Sequence, residues 1–275
     1  MKRQWKRATR AFQIARAFLE MGFSTAASYP VSFLMSSARP LVPVITFFFV
    51  AQLVPDTQSV GGDYYSFVII GFLVTEALAG ALGGFTHEIQ TAVQQGRFEM
   101  LLVEPVRWRL LPFGLAQWPV ISRAASASVA GAVAIAMGAH YRLAGVGTAL
   151  LLFVLALVAT LSIGVLSGAI GVLSKHSDPV LAMYTLVAGV LSGVAFPIEF
   201  LPAPVRALSW LVPHTYVITG MRKVLLEDGA MVVGPSVLQS MAALTAFNLI
   251  AFPVVLWVFG RIMETGRRTG VLSGY

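Results

Sequence analysis

Three ionisable side chains, Arg39, Glu76 and Arg123, stand inside otherwise apolar runs. A charge in such surroundings is costly unless it pairs or faces a wet cavity. One carboxylate and two guanidiniums can form an ion pair or a three-membered network; alternatively the arginines snorkel toward headgroups, or Glu76 takes and releases a proton. A second concentration of charge is "QQGRFEMLLVEPVRWRLL", residues 94–111, with Arg97, Glu99, Glu104, Arg107 and Arg109. Within it Phe98, Leu101, Leu102 and Pro105 fall at i, i+3, i+4 and i+7, one stripe of a short helix that Gly96 begins and Pro105 ends. Such a stripe suits docking into a soluble partner's groove, or resting on headgroups with Trp108 as interfacial anchor.

Other chemistries are missing from the sequence. His87, His140, His176 and His214 lack an i+3 or i+4 partner, and no metal site can be recognised around them. There are no cysteines, hence no thiolate chemistry and no disulfides. No G-x-x-x-x-G-K-[ST] appears, so this sequence has no P-loop to cradle nucleotide phosphates.

The elements that must carry these residues are read from composition. The 275 residues are 57% hydrophobic and 11% charged, with a mean hydropathy of +0.80. A soluble domain has about twice that charged fraction. Apolar runs of ~20 residues suit a ~30 Å hydrocarbon core, so an all-α membrane protein is expected. Six transmembrane helices are placed near 30–53, 64–86, 113–137, 146–173, 180–196 and 237–260. An even number puts both termini on one side. The N-terminus, the 87–112 loop, Lys175 and the tail hold thirteen Lys and Arg, against Arg142, Arg206, Arg222 and Lys223 in the alternate loops. The positive-inside rule then makes the termini cytoplasmic, in the inner or plasma membrane of a prokaryote. The net charge of +7 reflects this topology, and no nucleic acid is implied. Arg39, Glu76 and Arg123 each lie about ten residues from a cytoplasmic span end. At 1.5 Å per residue they share a depth of ~15 Å.

Two segments do not span. Residues 2–21 read as an interfacial helix: Trp5, Ala8, Phe12, Ala15, Phe18 and Leu19 share one face, opposite Lys2, Arg3, Lys6, Arg7, Arg10 and Arg16. Seven charges in the first twenty residues argue against a cleavable signal. The apolar 197–236 link is interrupted by Pro197, Pro202, Pro204 and Pro213, so one spanning helix is ruled out. A re-entrant pair of short helices at 197–226 is expected, dipping into the outer leaflet, with Pro213, His214 and Tyr216 near the outer face. Gly80–Gly84, Gly164–Gly168 and Gly189–Gly193 form G-x-x-x-G pairs of the kind that let helix backbones approach.

"QQGRFEMLLVEPVRW" resembles the "G-T-L-E-x-L-L-x-x-P-V" coupling segment of ABC-2 type exporter permeases, with Arg97-Phe98 where Thr-Leu is usual. "GGDYYSFVIIGFL" is similar to the family's "G-x-Y-x-x-F-x-x-x-G", and "SDPV" to its "D-P-V" loop. "LSGVAFPIEFLPAPVRALSWLVPHTYVITGMRKVLL" resembles its "L-S-G-x-x-F-P-x-x-x-L-P" and "P-x-T-Y-x-x-x-x-R" re-entrant region. The resemblance implies a transmembrane subunit that pairs with a second permease, as a homo- or heterodimer, among membrane lipids. Two ABC ATPase subunits would each take a coupling segment at 94–107, through Gly96, Arg97, Phe98, Glu99, Leu101, Leu102 and Pro105. ATP and Mg²⁺ would sit on that partner; this chain would bind no cofactor and would not itself be an enzyme. Substrates would pass between spans 1, 2 and 5, where Phe47, Phe48, Phe72 and Tyr184 are candidates to line the path and Phe49 lies beside them. Pro197, Pro202, Pro213 and Tyr216 would shape its outer end. The expected cargo is a hydrophobic or amphipathic, antibiotic- or drug-like molecule leaving the cell. A lipid or lipid-linked glycan is the alternative. A proton-coupled carrier built on Glu76, or a membrane scaffold, are readings of another class.

Overall fold

The computed structural model describes residues 2–53, 63–94, 111–174, 179–229 and 232–269. Its α-helices are α1 (Lys2–Ser28), α2 (Pro30–Ala38), α3 (Leu41–Ala51), α4 (Tyr64–Gln94), α5 (Leu111–Ala136), α6 (Val146–Ser174), α7 (Pro179–Leu191), α8 (Ala203–Ser209), α9 (Pro213–Leu225) and α10 (Val237–Thr269). No strand occurs among the described residues, and the chain is an all-α membrane protein.

Local sequence explains where these helices begin and end. α1 runs seven residues past the interfacial segment expected at 2–21 and stops at Tyr29, whose α conformation the following Pro30 disfavours. The first span, expected as one helix over 30–53, is a 22-residue apolar passage, Pro30–Ala51, broken into α2 and α3 at Arg39–Pro40. Pro40 has no N–H to continue the ladder. Asp63 starts α4: its carboxylate accepts from the backbone N–H groups of Tyr65 at 2.9 Å and Ser66 at 3.2 Å. The prolines of the 197–226 segment initiate short helices: Pro197 precedes a 3₁₀ turn at Ile198–Phe200, Pro202 caps α8, and Pro213 is the first residue of α9.

Among the described residues, five helical passages are long and apolar enough to cross a membrane. The sixth expected span, 180–196, corresponds to the 13-residue α7, which at ~20 Å is short of a ~30 Å core. It stops because Gly193 turns the chain at φ +68°, a left-handed value that favours glycine.

α4 is the central helix, packed against α3, α5, α6 and α9. At one end its Phe67, Ile70 and Leu78 meet Leu152 and Ala156 of α6 and Val217 and Ile218 of α9. At the other, Phe85 and Ile89 meet Leu115 of α5, Val165 of α6 and Phe259 of α10. Between apolar helices in lipid the hydrophobic effect supplies little association, so close packing must. Gly80 and Gly84 lie against Pro119 of α5, and Gly164 of α6 against the carbonyls of Ala81 and Leu82. A side chain on Gly80 or Gly164 would strike backbone. The third pair differs: Gly189 faces open space, and Gly193 serves its turn.

Arg222 of α9 is a buried cation whose hydrogen bonds all go to main chain. It is 3% exposed. Its Nε donates to the Phe67 carbonyl at 3.0 Å, Nη1 to Gly193 at 2.7 Å and Nη2 to Val194 at 2.7 Å. Its guanidinium carbon lies 3.5 Å from the centre of the Phe67 ring, a cation–π contact. Gly71 leaves the room: a Cβ there would come within 2.7 Å of Nη2 and strike the Val194 carbonyl. Arg222 therefore joins α4, the α7 turn and α9, and it is not the solvated loop charge that the topology count assumed.

Arg222→Met would take a charged donor away from three carbonyls, two of them in the turn after α7. It is expected to lower stability by ~3 kcal/mol or more, read as a fall in thermal unfolding temperature in detergent. Gly71→Val should act in the same direction, by ~1–3 kcal/mol of overpacking.

Candidate functional site

Glu76 sits near the middle of α4, twelve residues or ~18 Å from its start. Arg39 reaches it from the α2–α3 break: Nη2 lies 3.0 Å from Oε1 and 3.1 Å from Oε2. Arg123, twelve residues into α5, donates through Nη1 to Oε1. The carboxylate is 18% exposed, against 30% for Arg123 and 58% for Arg39. Three passages thus meet at one carboxylate held by two cations. Pro40 contributes by ending α2 at the residue that must turn its side chain to α4. With both oxygens engaged by guanidiniums, Glu76 ties the three passages to one another.

Beside this triad, a cavity of ≈ 730 Å³ opens between the α1–α2 elbow and helices α4 and α5. Phe18, Phe33, Leu115 and Trp118 line it, and Arg123 stands in its wall. Trp118 secures the elbow, meeting Phe23 of α1 edge-on at 5.7 Å and Phe33 of α2 stacked at 6.3 Å. Gly22 and Gly114 let α1 and α5 touch, since a Cβ on either would collide with Trp118 or Phe18.

The other expected residues are placed elsewhere. Gly96, Arg97, Phe98, Glu99, Leu101, Leu102 and Pro105 lie outside the described residues. Phe47 pairs with Phe72 at 5.0 Å, and Phe48 packs on Tyr65 at 5.7 Å, contacts between α3 and α4 inside the subunit. Phe49 is 60% exposed. The Tyr184 hydroxyl hydrogen-bonds with Nδ1 of His214 at 2.8 Å, joining α7 to α9. None of these five aromatics lines the cavity. Pro197, Pro213 and His214 are buried, Pro202 is exposed, and Tyr216 donates to the Trp210 carbonyl at 2.8 Å.

A family model described as ABC-2 type transporter matches residues 10–226, which include the elbow, the triad, α4 and the Arg222 cradle. The chain belongs to the ABC-2 type transporter family. It is the membrane-spanning subunit of an ABC-type transporter, a transport subunit of a family that works in general with an ABC ATPase partner. No curated protein matches the chain. Sequence reasoning for this ABC-2 subunit includes Arg222 in the re-entrant resemblance and counts it with the loop charges, but misses the buried, main-chain-bonded role that the structure gives it. The signal that could have found it is the apolar run of Val217, Ile218 and Met221 that leads into it, although Lys223 follows directly.

For the ABC-2 triad, Glu76→Gln leaves two guanidiniums sharing no carboxylate at membrane depth. A loss of ~1–3 kcal/mol is expected, measured by thermal unfolding of the purified subunit. Exchanging the charges, Glu76→Arg with Arg123→Glu, should recover part of it. Unchanged stability of Glu76→Gln would show that the triad is not a tie.

Proposed function

We propose that this subunit is half of an ATP-driven exporter that moves a hydrophobic or amphipathic, drug-like molecule out of a prokaryotic cell. Two ABC ATPase subunits carry the ATP and Mg²⁺, a second permease completes the pathway, and both termini face the cytoplasm. The observation that supports this reading best is the length of α4. Its 31 residues make ~46 Å of helix, against a ~30 Å hydrocarbon core. The surplus carries the end of α4, Gln94, clear of the membrane, where the 94–107 segment follows directly. Phe98, Leu101 and Leu102, with Glu99 beside them, would then enter a groove of the ATPase. Hydrolysis there would be felt along the same rigid rod that holds Glu76. The family match gives the partner class, and the basic bias of the N-terminus and the 87–112 loop favours the cytoplasmic side for both.

Phe98→Asp places a charge against an apolar groove, at a cost of a few kcal/mol. The co-purified permease–ATPase complex carrying it should lose substrate-stimulated ATP hydrolysis, or fail to assemble. Normal assembly with normal stimulation would refute the coupling role. The topology is tested separately. The exposed Arg206, replaced by Cys in this cysteine-free chain, should react with an impermeant thiol reagent added outside. Labelling from the cytoplasm alone would reverse the orientation. Buried His214 would be a poor position for the same probe.

A further inference from the structure

The charges of the triad that borders the cavity do not balance among themselves. Arg39 and Arg123 share the single carboxylate of Glu76, which leaves one positive charge in excess. Among the described residues Arg123 is bonded through Nη1 alone, and Arg39 through Nη2 alone. Of the five N–H groups a guanidinium carries, four of Arg123 and at least three of Arg39 make no protein hydrogen bond among the described residues. The acidic residue in the cavity wall, Glu88, lies twelve residues beyond Glu76 along α4, ~18 Å away, and has a partner of its own. His87 beside it is exposed. From Arg123 the walls continue through Trp118, Leu115 and Phe18, and the exposed Met21 and Tyr29 also line the cavity, on the α1–α2 side. Arg123 toward one end, the aromatic and aliphatic Phe18, Phe33, Leu115 and Trp118 set among serine and threonine side chains along the length, and a volume of ≈ 730 Å³ within the ~300–1,000 Å³ of small-molecule sites together define a complement.

We infer that this cavity binds an amphiphile with one acidic headgroup and a single apolar tail, the acid at Arg123 and the tail along Trp118, Leu115 and Phe18. The bound anion completes the charge balance that Glu76 alone leaves open, which is worth most where water is scarce. This inference rests on the exporter reading and gives the cargo a chemical class: an anionic amphiphile collected at the α1–α2 elbow.

The test uses dibromostearic acid and its neutral methyl ester, which share a tail that quenches tryptophan and differ only in the carboxylate. Each is added, at an alkaline pH that ionises the acid, to the permease–ATPase complex in phosphatidylcholine vesicles. The part of the quenching lost in Trp118→Phe reports the cavity. The acid should saturate it at about one-tenth the mole fraction the ester needs, the size of one charge-assisted contact. Arg123→Gln removes the cation of the wall, and Arg39→Gln leaves one cation for one carboxylate. Both should bring the acid to the ester's level. The basic N-terminal helix attracts anions equally in all these variants, so the difference isolates the cavity. Equal saturation in the unaltered complex, or a preference that survives both substitutions, overturns the inference. If that happens while ATP still drives amphiphile release from the vesicles, the exporter reading stands. If the preference is present but ATP moves no amphiphile, the site stands and the exporter reading fails.

Discussion

A guanidinium removed from water must have its hydrogen-bonding capacity met by something else, and Arg222 meets it with main chain from two other parts of the fold. The Phe67 carbonyl comes from α4, and those of Gly193 and Val194 from the turn after α7. That requirement is strict because lipid offers no substitute for a lost partner. It also explains features that are otherwise arbitrary. Gly71 is small because the guanidinium lies over it, and Gly193 takes a left-handed turn that aims its carbonyl at Nη1. Phe67 offers its ring to the cation as well as its carbonyl. The short helices α7, α8 and α9 would have little to hold them in lipid by apolar contact alone, since neighbouring lipid tails compete on equal terms.

The triad around Glu76 follows the same logic with side chains in place of main chain. Arg222 fastens the end of α4 near Phe67, and Glu76, some nine residues further along, fastens its middle to the first span and to α5. Past both, the glycine contacts of Gly80, Gly84 and Gly164 bring backbones together without charge. α4 is thus held by a buried cation, an ion triad and close backbone packing in succession along its length, each suited to an environment where apolar burial by itself selects little.

The all-α membrane fold and the family are legible in the residues, because apolar runs of spanning length and four motifs in order leave few alternatives. The offsets of Arg39, Glu76 and Arg123 along their runs also show that the three share a depth. Which bonds they form was beyond reach, since Arg39 depends on a helix break at Pro40 whose angle a linear pattern does not encode. Arg222 was counted with the loop charges because charge counting weighs a residue by type and not by surroundings. Two of the stretches that carry the family resemblance, one holding Phe67 and Gly71 and the other Gly193, prove to meet at this arginine. The cavity was invisible for a different reason: its walls come from α1, α2, α4 and α5, and its shape is set by the elbow at Tyr29–Pro30.

α1 has a mechanical consequence of its own. It is unbroken over 27 residues, a rod of ~40 Å. Its far third is pinned to α5 where Phe18 meets Gly114 and Gly22 meets Trp118. A rod held near one end is a lever, and the pinning point is its fulcrum. A small displacement of its N-terminal end would become a tilt at the elbow, acting on Trp118 and, five residues along α5, on Arg123. The position of α1 and the state of the ion triad would in this way be one mechanical variable.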